Sequence, residues 1–278
     1  MQLTYRMSSM QFRGAFKFVV LSILALGWAG PALAEIATAV DVQAEATVTT
    51  ASGTQSLSTG GRVSVGDTVE TSRSGQVQLL FDDSTKVVVG PNSKLVIDTV
   101  LMRSANTASR FAVTAVSGSF RFITGESPKS AYDIRTRTAT VGIRGTIFDF
   151  ETDRWSTDLI LLSGAISFCG TTNVCADVSE KCKLVVANRV GFVGSPQSQR
   201  QTNRITGRGF PYLGSQASLL PEFRADVIDC GFAGKSQGII DGSTPGGPGA
   251  SPAPGGLIGP GRNQGGDNDG GESEGFAG

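Results

Sequence analysis

Between Ala37 and about Val193 the chain is a succession of short apolar runs, each cut off by Gly, Asn, Asp, Ser or Pro. Examples are Val77-Gln78-Leu79-Leu80-Phe81, Lys86-Val87-Val88-Val89, Leu95-Val96-Ile97, Phe120-Arg121-Phe122-Ile123, Ile147-Phe148-Asp149-Phe150, Leu159-Ile160-Leu161-Leu162 and Leu184-Val185-Val186. Several alternate strictly, as in Val141 and Ile143 or Phe148 and Phe150, and β-branched residues dominate. Period two in short runs means strands with one buried face. No run holds a helical apolar stripe beyond two turns, so the βα alternation of a nucleotide-binding fold is missing, and no Gly-rich phosphate loop opens a helix. The spacing predicts an all-β domain over residues 37–193, an antiparallel β-sandwich or jelly roll.

What precedes this region reads as an address. Arg6, Arg13 and Lys17 lead into the apolar run Phe18 to Trp28, followed by Pro31-Ala32-Leu33-Ala34-Glu35 with small residues three and one positions before a cut. This is the order of a secretory signal peptide over residues 1–34, cleaved after Ala34. The run is much shorter than the ~20 residues that span a bilayer, so no membrane-spanning segment is expected after cleavage. The expected mature chain carries a formal charge of −3, which argues against nucleic acid, whose phosphates call for a basic face. Export places the protein in the periplasm, or alternatively on the outer surface or secreted.

Downstream, residues 194–240 read as a linker and a C-terminal helix. Residues 194–214 are polar, with Arg200, Arg204 and Arg208, and suit a solvated linker. From Ser215 to Asp229 the spacing of Leu219, Leu220, Phe223 and Val227 predicts an amphipathic helix, with Ser218 as N-cap and Pro221 in the first turn. Residues 241–278 hold 14 Gly, five Pro and five acidic residues. Such a segment buries too little apolar surface to offset its ordering entropy and is expected to be disordered.

The most specific stretch is Thr138-Ala139-Thr140-Val141-Gly142-Ile143-Arg144-Gly145-Thr146-Ile147-Phe148. It resembles the signature of the FecR domain family, Thr-x-Ala-x-Val-x-Val-Arg-Gly-Thr-x-Phe. Val65-Gly66-Asp67-Thr68-Val69-Glu70-Thr71, Leu80-Phe81-Asp82-Asp83-Ser84, the turn Gly90-Pro91-Asn92-Ser93, Val116–Phe122 and Leu161–Ile166 resemble further elements of that family in the same order. The resemblance implies a periplasmic signalling domain. The family's best-understood members add a cytoplasmic anti-sigma segment, for which the 17 residues before Phe18 are too few. It also implies mostly structural roles for Thr138, Ala139, Val141, Gly142, Gly145, Thr146 and Phe148 and for Gly90, Pro91, Asn92 and Ser93. Gly142 and Gly145 suit positive φ or close backbone approach. Arg144 is expected in a buried bidentate pair with a carboxylate, ligand binding being the alternative. The family's Asp-Gly-Ser hairpin is here Asp82-Asp83-Ser84, which a type I′ turn tolerates at a modest cost because Asp enters the left-handed region better than most residues.

The chain has no His and four Cys. Without His, Ser/His/Asp and Cys/His nucleophile pairs and imidazole metal sites are excluded. Four Cys in an exported chain allow three disulfide pairings. Cys169 ends a strand and Cys175 follows the turn Gly170-Thr171-Thr172-Asn173, so these two face each other across a hairpin, which leaves Cys182 to pair with Cys230. A Cys metal cluster is the alternative, without the C-x2-C pairs of a zinc ribbon. A glycan-cleaving enzyme would need two carboxylates about 5 to 9.5 Å apart across a cleft. The candidates, Asp82 with Asp83 and Asp149 with Glu151, are adjacent in a turn or share one strand face. With these exclusions, the resemblance to the FecR domain family implies a non-catalytic sensor or adaptor, without cofactor or metal, that binds a protein or envelope component in signalling. A structural or adhesive surface protein is the alternative.

Overall fold

The computed structural model describes residues 35–230 together with residues 1, 2 and 4. The expected signal segment over 1–34, those three residues aside, and the tail over 241–278 lie outside the described residues.

Short alternating runs become strands throughout: β1 Glu35–Gln43, β2 Ala46–Thr50, β3 Gly53–Ser56, β4 Arg62–Ser64, β5 Thr68–Thr71, β6 Gln76–Phe81, β7 Lys86–Val89, β8 Lys94–Ser104, β9 Thr107–Ile123, β10 Tyr132–Arg135, β11 Ala139–Ile143, β12 Ile147–Thr152, β13 Ser156–Ser163, β14 Ile166–Gly170, β15 Cys175–Val178, β16 Leu184–Asn188 and β17 Val193–Gly194. All are joined in one sheet, and that sheet doubles over along β9. Up to Ser117, β9 pairs with β8 and β10. From Gly118 onward it pairs with β7 and β12. One layer therefore runs β4-β1-β6-β7-β9-β12-β13-β16-β17. The other runs β3-β2-β5-β8-β9-β10-β11-β14-β15.

The bend belongs to Gly118 and Ser93. Gly118 has φ +105°, and a Cβ there would fall 2.1 Å from Ser93 Oγ and 2.4 Å from Ser93 Cα, so only glycine fits. Ser93 Oγ accepts from the Ser119 N–H at 2.9 Å and reaches the carbonyls of Pro91 and Ser119 at 3.1 and 3.2 Å. The same bend explains the one departure from antiparallel pairing among the described strands. Because the two halves of β9 lie in different layers, the chain that leaves at Ile123 returns beside the first half in the same direction, and β10 pairs with it in parallel.

The layers meet on aromatic rings. Phe81 lies 4.8 Å from Phe111, Phe111 lies 5.9 Å from Phe122, and Phe122 lies 6.0 Å from Tyr132, each pair edge-to-face. Phe148 stacks on Phe122 and Phe150 on Phe120. Edge-to-face and offset pairs are the arrangements that ring quadrupoles favour.

The C-terminal helix sits earlier than its apolar spacing predicts. Helix α1 covers Gln199–Gly209, within the expected linker, and Ser198 caps it by accepting from the Gln201 N–H. The segment 215–229 forms only single 3-10 turns at Pro221–Phe223 and Ile228–Cys230. Its backbone groups are already spent on side chains: the Ser218 carbonyl accepts from Gln43, Gln76 and Gln78 at 2.7, 3.1 and 3.2 Å. Leu220 N–H donates to Gln78 Oε1 and Ala225 N–H to Gln216 Oε1. An extended strap thus replaces the helix, laying Leu219 and Phe223 with Tyr212 over Val88, while α1 and the turn after it set Ile205, Phe210 and Leu213 against Ile160, Leu162, Leu184 and Val186.

Candidate functional site

The signature segment forms β11, a corner and the start of β12. Ala139, Val141 and Ile143 face the core, as does Phe148, and the buried Thr138 Oγ1 lies 2.7 Å from Thr157 Oγ1. The corner is held by backbone: Thr146 N–H donates to Thr124 Oγ1 at 2.9 Å, and Thr124 N–H donates back to the Thr146 carbonyl at 3.1 Å. Gly145 has φ +81°, and Gly164, in the β13–β14 turn at φ +85°, approaches so closely that its Cβ would fall 1.9 Å from the Gly145 carbonyl oxygen. Gly142 differs from this expectation: it has neither positive φ nor a contact closer than 3.7 Å.

Arg144 departs from its expected place. It is exposed, its backbone N–H bonds to the Ala165 carbonyl at 2.9 Å, and among the described residues its guanidinium forms no ion pair. The alternation already sets position 144 on the face opposite the buried Ile143, with Thr140 and Gly142, and no carboxylate among the described residues pairs with the side chain on that outer face. Lys129 lies alongside, since a Cβ on Gly145 would come 3.2 Å from Lys129 Cε and 3.5 Å from Nζ. The Lys129 side chain thus lies beside the Gly145 backbone, next in sequence to an exposed arginine, a residue type whose planar fork can take a carboxylate or phosphate bidentately.

The buried bidentate pair belongs instead to Arg121 and Asp149. They face each other in the register of β9 and β12, with Nε to Oδ1 at 2.6 Å and Nη2 to Oδ2 at 2.8 Å. Arg121 also donates to Gln216 and, at 3.4 Å, to the Phe223 carbonyl, and its guanidinium lies 5.5 Å from the centre of the Tyr212 ring. Burial pushes the Asp149 carboxyl above the ordinary carboxylate range against the pull of Arg121. Burial, with Asp149 adding to it, also pushes the Tyr212 hydroxyl up. The signal for this pair was present in the sequence: Phe120-Arg121-Phe122 and Phe148-Asp149-Phe150 set opposite charges between core aromatics, in phase on two strands.

The remaining sequence candidates are built into the scaffold. Asn92 has φ +51° in the turn with Pro91. A Cβ on Gly90 would meet the Ser119 carbonyl at 2.7 Å and Tyr212 Oη at 2.9 Å. In the first hairpin the left-handed residue is Ser84, at φ +65°, not Asp83. The expected type I′ turn is therefore not made, and Asp83 turns inward, where Ser127 and Tyr132 hydroxyls and the Thr85 N–H donate to it at 2.5, 3.1 and 3.1 Å. Asp83 and Asp149, two of the carboxylates weighed for glycan chemistry, are thus buried hydrogen-bond acceptors. Disulfides join Cys169 to Cys175 and Cys182 to Cys230. Among the described residues no group of three or more Cys, Asp or Glu side chains is placed to hold a metal ion, and no helix is long and apolar enough to cross a membrane.

Residues 67–167 match the family described as FecR protein. No curated protein matches the chain. Two crystal structures of a candidate anti-sigma factor from Parabacteroides distasonis ATCC 8503, at 1.65 and 2.50 Å resolution, are similar to it. The first is 16% identical with a TM-score of 0.38, over 50% of this chain and 65% of that one. The second is 15% identical with a TM-score of 0.39, over 50% and 64%. The chain spans about 65% of the length of these crystallised proteins.

Proposed function

We propose, from the premise that residues 67–167 form a FecR domain, that this protein is a non-catalytic periplasmic sensor or adaptor whose Arg144 corner contacts a protein or cell-envelope partner in signalling. One observation carries the reading. Within the signature segment Thr138, Ala139, Val141, Thr146 and Phe148 are buried, whereas Arg144 stands in solvent next to Gly145, which Lys129 approaches, and among the described residues it forms no ion pair. A guanidinium in that position contributes little to stability, so its use lies outside the chain.

The setting agrees with this reading. Two disulfides suit an oxidising compartment, in line with cleavage after Ala34 and release to the periplasm. The β unit that begins at Glu35 and ends near Gly194 supports 37–193 as the functional domain, with the strap to residue 230 as part of its covering. The partner is expected to be anionic at its contact.

The test is capture from an envelope extract by the exported protein and by its Arg144→Ala variant, alongside their melting temperatures. Lost capture at unchanged stability supports the reading. Equal capture by both proteins refutes it.

A further inference from the structure

Three turns at one end of the molecule gather exposed apolar side chains. The β12–β13 turn carries Arg154 and Trp155, the β16–β17 turn Arg189 and Val190, and the β14–β15 turn Val174. Arg189 N–H donates to the Trp155 carbonyl at 3.0 Å, and Thr172 Oγ1 lies 3.4 Å from the Gly191 carbonyl, so the turns adjoin. Trp155 is 56% exposed, Val174 50% and Val190 87%. A fourth turn brings Arg137, because Thr136 and Thr138 hydroxyls both lie 2.7 Å from that of Thr157.

This end is also basic. The guanidinium carbons of Arg154 and Arg189 lie 5.0 and 5.4 Å from the centre of the Trp155 ring. Arg137, Arg154 and Trp155 line an open cleft of about 500 Å³ with Asp153. Asp153 Oδ1 accepts from the N–H groups of Trp155 and Ser156 at 2.6 and 2.8 Å, so that carboxylate is tied to its own turn. Among the described residues none of the three arginines forms an ion pair.

We propose that this end docks on an anionic lipid surface, with Trp155, Val174 and Val190 entering the headgroup region and Arg137, Arg154 and Arg189 contacting lipid phosphates. Indole and guanidinium each bury an apolar body while keeping a polar tip hydrated, which suits them to headgroup depth. A lipid surface fits better than an acidic protein because the apolar groups stand on the tips of separate turns. A stable protein interface needs about 800 Å² per partner around an anchor seated in a pocket, whereas Val190 protrudes with almost its whole side chain free. The inference goes beyond the sensor reading and does not rest on it, since partner capture at the Arg144 corner is a separate measurement.

Trp28 and Trp155 are the only tryptophans of the chain, so in the protein beginning at Glu35 Trp155 is the sole indole emitter. That protein is mixed with vesicles of phosphatidylcholine and phosphatidylglycerol in equal parts, with pure phosphatidylcholine vesicles, with inorganic phosphate and with polyglutamate. The expected result is a blue-shifted emission and co-sedimentation with the mixed vesicles alone. Arg154→Gln and Arg189→Gln should each weaken binding about fivefold, and Val190→Asp should abolish it at an unchanged melting temperature. No shift with mixed vesicles, equal binding to pure phosphatidylcholine, or an equal shift with phosphate or polyglutamate would each overturn the proposal.

Discussion

Asp149 stands directly opposite Arg121 across β12 and β9 and takes both arms of its guanidinium, in a position sealed by Tyr212, Gln216 and Phe223. Inner-face phenylalanines flank both residues, so the pair lies on the opposite face of its layer, and only the strap removes it from water. Arg121→Ala leaves a carboxylate buried without its partner and should cost about 3 to 5 kcal/mol. Replacing both, Arg121→Met with Asp149→Leu, should cost much less than the sum of the single changes, because no unpaired charge is left behind. Urea denaturation of the four proteins in that cycle decides it.

The two turn glycines are unequal. Gly145→Val sets a branched residue at φ +81° where only the Lys129 side chain is near, a strain of about 1 to 3 kcal/mol. Gly164→Ala carries the same strain and drives its Cβ into the Gly145 carbonyl at 1.9 Å, so even this smaller side chain should destabilise more. Thermal melts of the two variants give the order.

The bridges should differ in the same direct way. Cys182–Cys230 closes a loop with a sequence separation of 48 and Cys169–Cys175 one of 6, worth about 4 and about 2 kcal/mol on the chain-entropy model. Paired Cys→Ser variants, compared in denaturant, should show the long bridge dominating. Its removal should also expose the strap to protease first, because Cys230 anchors the strap's end beside Leu184 and Leu213.

Alkali should attack through tyrosine. Burial holds Tyr132 and Tyr212 above the ordinary phenol value of 10.0, while in the unfolded chain both titrate near it. The unfolded state therefore loses protons first as pH rises, and stability that is full below about pH 10 falls above it. Phenolate absorbance followed alongside the melting temperature should show these two groups ionising only as the protein unfolds. Normal titration in the folded protein would contradict their burial.

The layered β fold was legible because alternation such as Phe148 and Phe150 states both the strand and its inner face. The corner at Gly145 was legible as well, since a left-handed residue leaves a glycine. The location of the helix was not: Leu219, Leu220 and Phe223 have helical spacing, but Gln43, Gln76 and Gln78, far away in the chain, claim the backbone that a helix would use. For the same reason the local sequence around Arg121 shows only a strand. The burial of Arg121 depends on a covering segment nearly a hundred residues later, and no local pattern at Phe120–Phe122 announces that cover. Alternation sets Arg144 opposite the buried Ile143, but whether a carboxylate waits on that face depends on residues distant in the chain, which is why the buried pair expected there lies instead at Arg121 and Asp149.

The central claim is that two arginines divide the work, Arg121 holding the fold and Arg144 meeting the partner. The most direct measurement compares Arg121→Ala and Arg144→Ala for unfolding free energy and for partner capture from envelope extract. The account predicts that Arg144→Ala keeps its stability within about 0.5 kcal/mol, as surface changes do, and loses capture, while Arg121→Ala loses several kcal/mol. A loss of about 3 kcal/mol or more in Arg144→Ala, or full capture by it, would contradict the account.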